Sequence, residues 1–130
     1  MSKNYTTWEK ELEATGGILI AAFEGWNDAG NASSWALRHL CEDLKAEPFA
    51  HIQAEHFYDF SATRPLVHLD EKGRQLDWPA NCFSAGDNQN VLLLEGIEPQ
   101  LQWRTFAEQI TSVATSLKVS MVVTLGSLLA

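Results

Sequence analysis

Ile18-Leu19-Ile20-Ala21-Ala22-Phe23, followed by Glu24-Gly25-Trp26-Asn27-Asp28-Ala29-Gly30-Asn31, is the stretch whose reading decides the fold. An unbroken apolar run bounded by Gly16-Gly17 and Gly25 predicts a strand buried on both faces, as in parallel sheets covered by helices. Leu37, Leu40, Cys41 and Leu44 then recur at i, i+3, i+4 and i+7, one apolar stripe of a helix. Asp28 or Asn31 is placed to cap its first turn. The unit is strand, loop, helix. In open α/β sheets ligands sit beyond the carboxyl ends of strands, so the loop from Glu24 to Asn31 is where a site is expected.

Working outward, residues 1–16 mix charge with Trp8 and Leu12 without a period and are read as a polar lead-in, and 17–130 as one α/β domain. Glu47-Pro48 breaks the first helix and Phe49 to Glu55 alternates as a strand. It leads into the aromatic run His56-Phe57-Tyr58-Asp59-Phe60. Pro65 to Leu69 and Arg74 to Trp78 flank a turn containing Gly73, a hairpin pattern that predicts a mixed sheet. Asn81 to Ala85 reads as a short strand, Gly86-Asp87-Asn88 as a turn, and Val91 to Glu95 as a second buried strand.

Glu98-Pro99 opens a helix in which Trp103, Phe106, Ala107, Ile110, Val113, Ala114 and Leu117 share one face. Val119 to Leu125 is expected to be a buried strand completing a crossover from Val91. The sequence then ends on Gly126-Ser127-Leu128-Leu129-Ala130, so apolar that the domain is expected to be cut short there.

The formal charge of −8, from seventeen acidic and nine basic residues, argues against nucleic acid and anionic membranes as partners. No stretch approaches the ~18 apolar residues of a membrane span, and none has a signal-peptide core. Cys41 and Cys82 read as buried thiols of a reducing compartment, and a cytoplasmic protein is expected.

The Gly25 to Asn31 loop has glycines five apart, but Asn31-Ala32 stands where a phosphate-binding P-loop needs Lys and then Ser or Thr. Glu24 and Asp28, near a helix N-terminus, are either an acid/base pair or turn-making caps. His39, His51, His56 and His68 lack metal-ligand spacing, so neither a metal nor a cofactor is expected. Ser127 follows Gly126 without the second glycine of a nucleophile elbow. Tyr58, Asp59, Arg64 and Pro65 form a polar-aromatic cluster. It is either a loop pinned by an Asp59–Arg64 ion pair or a protein-contact surface on Phe57, Tyr58 and Phe60. Trp26, if exposed, would be a contact anchor.

Taken together, residues 18–32, 57–65, 91–99 and 123–130 resemble the actinobacterial branch of the proteasome assembly chaperone 2 family. The resemblance covers nearly the whole chain from about Gly17. It implies a three-layer α/β/α sandwich with a mixed, mostly parallel sheet, similar to the phosphorylase/hydrolase-like fold. It also implies homo-oligomers and, from relatives, binding to proteasome α subunits. Family members are longer and continue past the last motif. Chaperones that dock on the α ring often end in a hydrophobic-Tyr-any residue tail, whereas this sequence ends Leu128-Leu129-Ala130. The reading is thus a non-enzymatic protein-binding factor acting through strand-end loops that include Glu24, Trp26, Asp28, Asn31, Tyr58, Asp59, Arg64 and Gly126. The alternative is an enzyme of phosphorylase/hydrolase-like or ligase type, using the crevice at Glu24 and Asp28 on a small anionic or nucleoside-like substrate. No ATP signature accompanies the ligase form.

Overall fold

The computed structural model describes residues 4–87 and 89–129; Met1 to Lys3 of the lead-in, Asn88 of the turn and Ala130 lie outside the described residues. The elements are β1 (Thr6–Trp8), β2 (Ile18–Glu24), a 3-10 turn (Ala29–Asn31), α1 (Ala32–Asp43), β3 (Glu47–Ile52), β4 (Leu66–Asp70), β5 (Gly73–Asp77), β6 (Asn81–Ala85), β7 (Val91–Ile97), α2 (Trp103–Ser116) and β8 (Met121–Leu125).

Six strands form one sheet in the order β1-β3-β6-β7-β2-β8, and β4-β5 stand apart as a two-stranded ribbon. β2 pairs in parallel with β7 on one side and β8 on the other, while β6 is antiparallel to β7 and β3, and β3 is antiparallel to β1. Four strands, β3, β7, β2 and β8, therefore point the same way, and only β1 and β6 oppose them. The sheet is mixed as expected, but for a different reason: the hairpin that suggested it is outside the sheet, and β6 supplies the antiparallel step.

Alternation along the central strands sends side chains to two cores. Leu19 and Ala21 of β2 join Leu92 and Leu94 of β7 beneath Phe106 and Val113 of α2 and Leu117 just past its end. Ala22 and Leu93 point the other way, onto Leu37 of α1, with Ile20 and Val91 packed against them. One helix thus covers each face, giving the α/β/α layering.

Several boundaries differ from the sequence reading. Thr6–Trp8 of the lead-in is an edge strand, held because Thr6 Oγ1 donates to the buried Gln109 Oε1 at 2.9 Å and Tyr5 packs on the core. Pro48 lies inside β3 rather than before it, at a register shift in the pairing with β6 that tolerates its missing donor. α2 begins at Trp103 rather than after Pro99, and Trp103 and Ala107 are exposed. β8 is an edge strand with Met121 and Val122 half in solvent, because it pairs only with β2.

Candidate functional site at the strand carboxyl ends

Because β3, β7, β2 and β8 run together, the segments leaving them gather at one end of the sheet. The loop after β2 is the most tightly built. Asp28 is buried, and its Oδ1 accepts the amides of Ser33 at 2.8 Å and Ser34 at 3.0 Å while Oδ2 accepts the Ser34 hydroxyl at 2.6 Å. Burial pushes the carboxyl up, but the Ser34 hydroxyl, the two amides and the nearby Arg38 outweigh it and hold it below the ordinary 3.8. Asn31, in the left-handed region at φ 57°, gives no side-chain cap to α1, so Asp28 does the capping from outside the first turn.

The end of β8 is stitched to this loop. Ser127 N donates to Asn27 O at 2.9 Å and Ala29 N to Ser127 O at 3.1 Å, so Asp28 and Ser127 extend the parallel ladder. The Asn27 amide packs directly on Gly126, its Nδ2 2.8 Å from where a Cβ would be. Glu24 is ion-paired to Arg38, whose Nε also donates to Glu95 Oε1 at 2.6 Å. The bond to Glu95 raises the Arg38 pKa although burial opposes it. Glu24 and Asp28 are therefore separately engaged, one in a surface ion network and one as a helix cap, and form no acid/base pair.

The aromatic cluster is also not what the sequence suggested. Tyr58 is buried: its hydroxyl donates to Ile97 O at 2.5 Å and accepts Asn81 Nδ2 at 2.5 Å, while Asn81 Oδ1 accepts Ile97 N at 3.0 Å. Burial, partly offset by the Asn81 bond, pushes the phenol up to about 12. Phe57 is fully buried against Phe106, edge to face. Neither forms a contact surface, because this run is the floor under α2. No Asp59–Arg64 ion pair exists among the described residues. Asp59 Oδ1 instead accepts the amide and hydroxyl of Ser61, which lower its pKa, and Arg64 Nε donates to Ser61 O at 3.5 Å.

What does reach solvent at this end is tryptophan. Trp26 is 95% exposed, Trp35 68%, Trp103 58% and Trp78 54%. Trp26 follows β2, Trp35 lies in the first turn of α1, Trp103 opens α2 and Trp78 precedes β6, so topology places all four at the carboxyl ends of the co-directional strands. The β4-β5 ribbon leaves and rejoins the sheet here too, between the end of β3 and the start of β6. Val67 of β4 faces Leu76 of β5 across the ribbon with both exposed, and Leu69 lies on the same face.

Two cavities open between these segments. One of about 550 Å³ lies between Ile52, Ala54 and the ribbon stem, where Phe60 meets Trp78 edge to face at 5.1 Å. The other, about 390 Å³, is lined by Trp26, Trp103, Ile97, Pro99, Glu24 and Glu98. Sequence reasoning nominated Trp26 but missed Trp103, Trp78, Trp35 and Glu98. The signal was available: each lies within a few residues of a strand carboxyl end, of a helix start, or of the strand that returns from that end. Among the described residues no three His, Cys, Asp or Glu side chains converge to hold a metal ion, and no helix is long and apolar enough to cross a membrane.

Comparison with known proteins places this geometry in context. The model of the PAC2 family matches residues 22–130. A PAC2 family protein from Streptomyces avermitilis is 43% identical with a TM-score of 0.78, over 88% of this chain and 51% of that one. A proteasome-assembly chaperone homologue from Mycobacterium tuberculosis is 39% identical with a TM-score of 0.81, over 87% of this chain and 50% of that one. An archaeal proteasome activator from Pyrococcus furiosus, 16% identical with a TM-score of 0.68 over 95% of this chain and 51% of that one, shares the fold alone. The chain spans about half the length of these structures. No curated protein matches it.

Proposed function

The chain belongs to the PAC2 family, and from that premise we propose that it is a non-enzymatic, proteasome-related chaperone that binds proteasome α subunits through its strand-end loops. Cytoplasmic location and assembly with further copies of itself belong to the same proposal. The observation that carries it is that the four tryptophans more than half exposed, of five in the chain, all lie at one end of the sheet. Tryptophan is among the residues most enriched in binding hot spots, and two of the four, Trp26 and Trp103, line one cavity. The resemblance at 39% identity to a proteasome-assembly chaperone homologue supports the identity of the partner. The enzymatic alternative loses support, because Asp28 is committed to capping and Glu24 to Arg38.

The test is capture from a lysate of the cells that make the protein, with mass spectrometry asking whether proteasome α subunits are enriched over a control bait. Enrichment that falls about tenfold in Trp26→Ala or Trp78→Ala supports the reading. Absence of α subunits, or capture indifferent to both substitutions, overturns it.

A further inference from the structure

We propose that the cavity between the β2–α1 and β7–α2 loops receives an arginine side chain of the protein partner. This rests on the protein-binding reading above and names the chemistry of one contact.

Two indoles, Trp26 and Trp103, line the cavity and are 95% and 58% exposed, so their faces are available. Glu98 lies between the two loops. Its Oε2 accepts the Trp26 amide at 3.2 Å and rests where a side chain on Gly25 would be, 2.5 Å from a Cβ built there; Gly25 has φ 143°. No ion pair to Glu98 exists among the described residues. Two cations next to lining residues are occupied elsewhere: Arg38, the partner of Glu24, also holds Glu95, and Arg64, beside Thr63, donates to the Ser61 carbonyl. Arg104 follows Trp103 but does not line the cavity.

The local charge is negative. Both charged residues lining the cavity, Glu24 and Glu98, are carboxylates; Arg38 offsets Glu24, and Glu98 is left against about half a positive charge from the α2 N-terminus. A cation is therefore the complementary occupant, and the two indole faces select a planar one that stacks. A guanidinium does both: it stacks on tryptophan and donates in a fork to a carboxylate, which an ammonium does not. The cavity, at about 390 Å³, holds such a head group with its stem along Pro99 and Ile97.

The experiment titrates the full chain with acetyl-Gly-Arg-Gly-amide and follows the five tryptophan indole N–H resonances by NMR. The lysine peptide, the citrulline peptide and spermidine serve as comparisons. The expected result is saturable shifts at Trp26 and Trp103, with little effect at Trp8. Lysine should bind about fivefold more weakly, and citrulline, the uncharged isostere, should produce none. Glu98→Gln keeps an acceptor for the Trp26 amide while removing the charge, and should weaken arginine binding about fivefold with an unchanged amide spectrum elsewhere. Equal shifts with citrulline or lysine, stronger binding of spermidine, or indifference to Glu98→Gln would overturn the proposal. Capture of α subunits with no arginine peptide binding would sink this inference alone. Arginine binding without α-subunit capture would leave it standing and remove the proteasome as the partner.

Discussion

Two loops leave neighbouring parallel strands and each feeds a helix, yet they are built in opposite ways. The loop from β2 to α1 closes on itself: the Asp28 carboxylate satisfies two amides and a hydroxyl, and Ser127 ties the backbone from outside. The loop from β7 to α2 is tied down by its backbone and glutamines, with Gln100 N and Leu101 N donating to Phe57 O and Gln102 Nε2 to His56 O, but it leaves its large side chains outside. Gln102, at φ 53°, gives α2 no side-chain cap, Leu101 and Trp103 are exposed, and Glu98 has no cationic partner among the described residues. Buried polar bonds dominate the first loop, and exposed apolar side chains the second. The difference is one of partners: the Asp28 carboxylate is buried under three donors, whereas Glu98 accepts one amide and has no cation beside it among the described residues.

The largest test of that division is Asp28→Ala. It strands two amides and a hydroxyl at a buried helix start and should cost about 3 kcal/mol, lowering the melting temperature by roughly 10 °C in thermal circular dichroism. Partner capture by folded protein at low temperature should be retained. A smaller effect is expected from Tyr58→Phe, which leaves Asn81 Nδ2 short of its acceptor and should cost about 1–2 kcal/mol in urea melts.

The pH dependence separates the same groups. The Asp28 carboxyl is lowered in the fold, so its contribution is complete above the ordinary 3.8 and is lost as pH falls through the folded value. Acid unfolding of Asp28→Asn should lack that component. Tyr58 behaves in the opposite sense: the unfolded phenol ionises near 10 and the folded one near 12, so stability falls as pH rises from 10 toward 12. Tyr58→Phe should flatten that alkaline arm in denaturant titrations. The smallest expected change is in stability of Trp103→Ala, within about 0.5 kcal/mol of the parent. A loss of several kcal/mol there would show the open loop to be structural and break the comparison.

The sequence made the closed loop legible and the open one not, for physical reasons. An apolar run between glycines followed by an acidic residue and a 3.6-residue stripe has few alternatives, and β2, Asp28 and α1 are found where that pattern puts them. Burial of β7, of the core face of α2 at Phe106 and Val113, and of Leu117 just past its end followed from the same periodicities. Periodicity, however, reports which residues share a face and not how far that face stays covered. Trp103 keeps the phase of α2 but sits at its uncovered end. Gln109 shows the converse: it shares the stripe of Phe106 and Val113 and is buried, yet its polar side chain concealed it. The aromatic run at Tyr58 misled because side chains beside Asp59 and Arg64 look like surface. Only the hydrogen bonds to Ile97 and Asn81, remote in sequence, bring the phenol inside.

The position of β2 also governs the order of events in folding. Ile18 pairs with Val91 on one side and with Met121 on the other, so the central strand is made early and must wait for partners from far along the chain. Closing such long loops before any ladder forms is entropically slow, and proteins dominated by distant pairings fold in milliseconds to seconds rather than microseconds. During synthesis the apolar run Ile18 to Phe23 is therefore exposed until β7 and β8 emerge. The centre of the sheet is thus made near the start of the chain and completed only by its last strand.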